Sequence, residues 1–339
     1  MAKLLKFNSG GAFAKSPIIY DVTAESLTGS ITFHQVKMKV TATISNAPTA
    51  TEYQMEQNTD EGEIHSFNIS SALSALIDNY EFTAVPPAEY PYIQFHLSVW
   101  DEYMKDGQLF ENVGVVNDNG GFALFGSFSD YERYVSGITR AITAMSSKPT
   151  STPEIVEAGE TFIKPKAMNG ATILNITAGP QSIQYPITID ANNPAGLRTI
   201  DGISVYVRTP SIDRYHFRFI NRFGVMESLA VNSLVSVQTS ITSTKSTLAQ
   251  KNVFNDVARG YVRKSNDIEE WKMSSGPIDK DWQQWYIHEF MMSSWIWIYY
   301  RDTWVRCHIK PSETVTGYNG YDGNPLSVEF SVELDITGY

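Results

Sequence analysis

Polar and apolar residues alternate along much of this chain, with the period of two that marks a strand buried on one face. Residues 31–44 (ITFHQVKMKVTATI) do so over most of their length. Residues 92–100 (YIQFHLSVW) put Tyr92, Gln94, His96 and Ser98 on one face and Ile93, Phe95, Leu97 and Val99 on the other. Between them, residues 70–79 (SSALSALIDN) combine a serine cap with Leu73, Leu76 and Ile77 at helical spacing. Residues 1–147 therefore predict an antiparallel, Ig-like β-sandwich with one short helix.

Residues 148–153 (KPTSTP) are rich in Pro, Ser and Thr and read as a linker. Residues 154–339 predict a second β-rich domain, a sandwich or barrel with one packed helix. Its strands fall at 171–177, 184–189, 203–208 and 215–222, with turn chemistry at 192–196 (NNPAG) and at Asp201–Gly202. The Ser- and Thr-rich stretch 236–250 fits either a solvated strand pair or a loop.

The clearest unit is residues 271–336, which hold six of the seven tryptophans. Asp279 or Asp281 can cap a helix on which Trp282, Trp285, Tyr286 and Phe290 form one apolar stripe at i, i+3, i+4 and i+8. Residues 295–300 (WIWIYY) predict a buried strand, 301–303 a turn and 304–309 (WVRCHI) the returning strand. In the last strand Leu326, Val328, Phe330, Val332, Leu334 and Ile336 face one way, opposite Ser327, Glu329, Ser331, Glu333 and Asp335. So much aromatic surface means a packed core or an assembly interface. The stripe and the strict alternation assign most of it to core. Strand follows strand without alternating helices, which argues against a doubly wound or barrel α/β enzyme.

Composition narrows the function. With 339 residues, 42% of them hydrophobic and 12% aromatic, the chain can bury sizeable cores. A net charge of −11 argues against sequence-specific nucleic-acid binding as its main role. No apolar run approaches a membrane helix, and the first residues lack a signal-peptide block, so no membrane partner and no general export are expected. Cys307 is the only cysteine, which excludes an internal disulfide, and its strand position predicts a structural thiol.

Catalytic chemistry is hard to find. His34, His65, His96, His216, His288 and His308 show no metal-ligand spacing, and His288–Glu289 does not continue as a zinc-protease helix. The glycines at 120–121 lack a Walker lysine or dinucleotide fingerprint, and Ser127 is not in a nucleophile elbow. Asp60, Glu61 and Glu63 lack the ladder of a calcium loop. Adjacent carboxylates such as Asp101–Glu102 and Glu269–Glu270 point to opposite faces of a strand. Asn68 and Asn175 stand in glycosylation acceptor patterns, which need a secretory route. Tyr90, Tyr92, Tyr318 and Tyr321 could stack on sugars, although turn packing explains such tyrosines more simply. No catalytic, cofactor-binding or metal-binding residue is predicted, and the chain is not expected to be an enzyme.

Three stretches carry a resemblance. Residues 215–229 (YHFRFINRFGVMESL) resemble an aromatic strand, Asn-x-x-Gly turn and second strand found in tail and baseplate structural proteins of phages and prophages of Bacteroidetes. Residues 126–134 (GSFSDYERY) resemble the end of the N-terminal domain in the same family. In the C-terminal half, Ser274-Ser275-Gly276, residues 281–292, 295–300, Trp304–Val305 and 326–330 follow the family's order. The stretch 236–250 has no clear counterpart there. The resemblance implies a tail-tube-like or distal-tail, adaptor-like virion protein, assembled in the bacterial cytoplasm as a homo-oligomeric ring or tube. Its partners would be copies of itself and neighbouring tail, adaptor or baseplate proteins. On that reading the Trp282–Trp285–Phe290 stripe is core, and the loops 221–224 and 317–324 are less buried and subunit-facing. The alternatives are a receptor- or carbohydrate-binding β module of a phage fibre, which would need a concave aromatic face, and a glycan-cleaving enzyme, which would need two carboxylates across one cleft.

Overall fold

The computed structural model describes residues 3–4, 11–60, 62–83, 85–87, 91–112, 121–127, 146–150, 152–165, 184–200, 203–252, 255–311 and 327–334. The chain is mainly β, with curled, half-barrel sheets and few helices, the class its alternation predicts. The expected strand 171–177, the stretch 128–134, Tyr90 and the loop 317–324 with Tyr318 and Tyr321 lie outside the described residues.

A six-stranded N-terminal sheet runs in the order Gly11–Phe13, Gly121–Leu124, Tyr92–Lys105, Ile31–Ile44, Ala47–Asn58, with Gln108–Asn112 paired to the far half of Tyr92–Lys105. Its inner face presents Val36, Met38, Val40 and Ala42 beside Ile93, Phe95, Leu97 and Val99, the faces the alternation predicts. A small sheet, Lys3–Leu4 with Ile19–Thr23 and Ile64–Asn68, covers that face with Tyr20, Val22 and Phe67. Helix α1, Ser70–Asp78, adds Leu73 and Ile77 to the same core. The expected serine cap gives way to a neighbour: Ile69 occupies the cap position with no side-chain bond, and Asn68 Oδ1 accepts from Ser70 N at 3.2 Å.

The second large sheet has seven strands, in the order Met226–Asn232, Arg214–Ile220, Ile296–Tyr300, Thr303–Pro311, Glu329–Leu334, Asn255–Ser274, Ser236–Asn252. The Arg301–Asp302 hairpin has φ of 49° and 61°, the left-handed pair that a two-residue turn with matched twist requires. On one face Phe217, Phe219, Ile296, Ile298, Phe330 and Val332 meet helix α2, Lys280–Trp285. On the other, Ile220, Met226 and Trp297 join the core of the N-terminal sheet. Trp297 is wholly buried, and Phe82 packs against both Trp295 and Trp297, at 4.6 and 5.8 Å. The WIWIYY strand is therefore buried on both faces over Ile296–Ile298.

The helix departs from the simple stripe. Asp279 is the cap, accepting from Trp282 N at 2.9 Å. After Trp285 the chain widens into a π-helical turn, Tyr286–Met291. Trp285 and Phe290 are core as expected, and Trp282 is half-buried. Glu289, seven residues after Trp282 and four after Trp285, falls on the same stripe and is buried with it, at 4% exposure.

The stretch 236–250 resolves into a strand. Ser236–Asn252 pairs antiparallel with Asn255–Ser274 from Ser236↔Lys272 out to Asn252↔Asn255, with a register shift at Thr244/Lys245. The last neighbour, Glu329–Leu334, pairs only with Glu269–Ser274. From Ser240↔Ile268 outwards, the pair is thus a two-stranded ribbon among the described strands. At 3.3 Å per residue it extends roughly 40 Å past the sheet.

Candidate functional site

Two features stand out, a polar cleft beside α2 and the ribbon edge. The cleft has a volume of about 400 Å³ and is lined by Ser147, Thr150, Arg222, Asp281, Gln284, Trp285, His288 and Glu289, together with Pro149. Its floor is a buried ionic network. Glu289 accepts from Ser147 Oγ and from Arg222 N (3.1 Å), and pairs with the Arg222 guanidinium at 2.6 Å. Glu227 is fully buried and accepts from Ser146 Oγ at 2.5 Å and Asn221 Nδ2 at 3.2 Å. Burial pushes its carboxyl up to about 7; the charge of Lys148 and the Ser146 bond oppose this, and the nearby Glu289 adds to it.

Residues 146–148 and Thr152 are thereby fastened down rather than free as a linker. Lys148 Nζ pairs with Glu154, donates to Ser228 O at 3.1 Å, and lies 5.6 and 5.1 Å from the ring centroids of Trp282 and Trp285. Thr152 accepts from Trp282 Nε1 at 2.6 Å and donates to the Asp279 cap at 3.0 Å. Pro, Ser and Thr composition predicts a solvated tether. Here Thr152 bonds Trp282 and the Asp279 cap instead, and the Lys148 ammonium lies over tryptophan faces.

The loop 221–224, expected to face a neighbour, is interior. Phe223 is wholly buried and Asn221 is 4% exposed. Asn221 Oδ1 accepts from Phe223 N at 3.0 Å and Val225 N at 3.3 Å, closing the turn on itself. Gly224, at φ +77°, lies so close to Gly126 that a Cβ on it would come within 2.5 Å of the Gly126 nitrogen. The loop is a backbone-to-backbone weld between the two large sheets, reinforced by Phe13 against Phe223 at 6.2 Å.

Several other sequence candidates have packing or hydrogen-bond partners. His34 faces the core and bonds Asp101 at 3.0 Å, whereas Glu102 faces outward onto Lys37 at 2.8 Å, as alternation requires. Tyr92 is half-buried and packs edge-on against Phe122. Cys307 is buried, and burial pushes its thiol up, away from nucleophile chemistry. Among the described residues no group of three or more His, Cys, Asp or Glu is arranged to hold a metal, and no helix is long and apolar enough to cross a membrane.

The ribbon lies at the bare edge of the seven-stranded sheet. The opposite edge, Met226–Asn232, is covered: Ser228 Oγ bonds both Ile163 N (2.6 Å) and Ile163 O (3.2 Å) of Thr161–Pro165. No described strand pairs with the outer side of Ser236–Asn252. Comparison of the chain with family models, with curated proteins and with solved structures gives no match.

Proposed function

We propose that this chain is a structural subunit whose activity is assembly with copies of itself, as a ring or tube component of a phage tail, tail adaptor or baseplate. The ribbon is the observation that carries the assembly reading. An edge strand of 17 residues with no described partner on its outer side presents a row of backbone groups on which another chain can pair. A two-stranded ribbon is also marginal in water by itself, so a neighbour that covers it adds order. The virion setting rests on the sequence resemblance alone. Mass and electron-microscopic shape of the purified chain test the reading: symmetric assemblies of many copies support it, and a stable monomer at all concentrations contradicts it.

A further inference from the structure

The proposed assembly leaves open what the ribbon meets. The chain contains a second long edge strand, Ala47–Asn58, the outermost of the N-terminal sheet; no described strand pairs with its outer side, and only its Gln57 end is tied to a neighbour among the described residues, by Gln57 Nε2 to Ser66 O at 3.2 Å and by His65 Nδ1 to Gln57 Oε1 at 3.1 Å. The free part of the ribbon edge, residues 240–252, matches it closely in length.

The two edges are opposite in charge. Between 245 and 264 the ribbon carries Lys245, Lys251, Arg259, Arg263 and Lys264 against a single acid, Asp256. This is a basic segment on a chain whose net charge is −11. From 47 to 63, the edge strand and the turn after it carry Glu52, Glu56, Asp60, Glu61 and Glu63 and no basic residue. Local cations offset this only in part. Lys39 reaches Glu52 at 3.2 Å, and Lys37 is divided between Glu56 at 3.7 Å and Glu102 at 2.8 Å. The Glu52 and Glu56 side chains remain more than half exposed, at 59% and 56%.

We infer that the ribbon of one copy docks along the Ala47–Asn58 edge of a second copy. Backbone pairing between the two bare edges supplies the adhesion, and the lysine and arginine run against the glutamate run sets partner and direction. The contact joins two different surfaces of one chain, so it is head-to-tail, and repetition builds a ring if it closes or a filament if it does not. This inference rests on the assembly reading above.

Charge reversal in the full-length chain tests it, with sedimentation velocity at low and high salt as the readout. K245E/K251E/R263E and E52K/E56K alter exposed or ribbon positions, and a thermal melt confirms that each variant folds. Each variant alone is expected to lose at least 10-fold in assembly affinity, and an equimolar mixture is expected to regain mixed assemblies. Assembly of the wild type should weaken with added salt, since exposed charges are screened within about 10 Å at 0.1 M. If both variants assemble like wild type, the docking inference fails while the assembly reading stands. A monomeric wild type overturns both. Tight binding of wild type to a short DNA duplex, lost in the ribbon variant whose assembly is unchanged, would give the basic segment to nucleic acid and overturn the inference.

Discussion

The two ends of the seven-stranded sheet obey opposite rules. At the end formed by Met226–Asn232, Arg214–Ile220 and Ile296–Tyr300, both faces are buried. Phe217, Phe219 and Ile298 lie under α2, and Ile220, Met226 and Trp297 lie against the N-terminal sheet. At the other end, Ser236–Asn252 and Asn255–Ser274 run on together well beyond their last described neighbour. The covered end takes its stability from burial of large aromatics. The ribbon end has backbone pairing and charge. On the proposed reading one sheet serves as both scaffold and arm, and substitutions at the two ends should separate folding from assembly.

The largest effect belongs to the covered end. Trp297→Ala removes a wholly buried ring at the junction of both cores and is expected to cost about 3–5 kcal/mol, read as a lower urea midpoint. Next is Lys148→Ala. It strips the cation from Glu154 and from the neighbourhood of Glu227, leaving carboxylates buried without compensation. A loss of about 3 kcal/mol is expected, again by urea unfolding.

A smaller effect of the same network appears with pH. The Glu227 carboxyl titrates at about 7 in the folded chain, against an ordinary 4.5. The native state therefore holds this proton more tightly than the unfolded chain does. Its contribution is complete below pH 4.5 and is lost as pH rises through 7, by up to about 3 kcal/mol. Glu227→Gln should flatten that slope in unfolding curves taken between pH 5 and 7.5. Glu160 has the opposite sign. Burial raises its carboxyl, but the His216 hydrogen bond and the charge of Arg214 together hold it below the usual range. Its contribution is present at neutral pH and lost as pH falls. At the ribbon end, K245E/K251E/R263E is expected to change folding stability by less than about 0.5 kcal/mol, because these positions lie on the two-stranded ribbon beyond the pairing with Glu329–Leu334.

How far the fold could be read from the sequence depends on where an apolar face exists. Residues 31–44 and 92–100 were legible because every second residue is buried against the small sheet and α1. The ribbon left no such trace: its strands are ordered by pairing, and Ser, Thr and Lys give no contrast between faces. The cleft was hidden for another reason. Ser146 and Ser147 stand just before the stretch read as a linker and carry no signal of their own, and their partners Glu227 and Glu289 lie far away in sequence. Glu289 lies on the Trp282–Trp285 stripe, where an acidic residue gives no apolar signal of burial. Residues 221–224 look like a solvated turn, yet Asn221 satisfies its own backbone and Gly224 permits close approach to Gly126, so the turn can be buried.

The central claim is that the ribbon is an assembly arm and not part of the folding core. Its most direct test is to replace residues 241–267 by a two-residue Asn-Gly turn and to compare the mass of the shortened and full chains by sedimentation velocity. The account predicts that the full chain forms large defined assemblies, and that the shortened chain is a monomer with an unchanged melting temperature. A shortened chain that assembles as the full chain does, or a full chain that stays monomeric at every concentration, would contradict it.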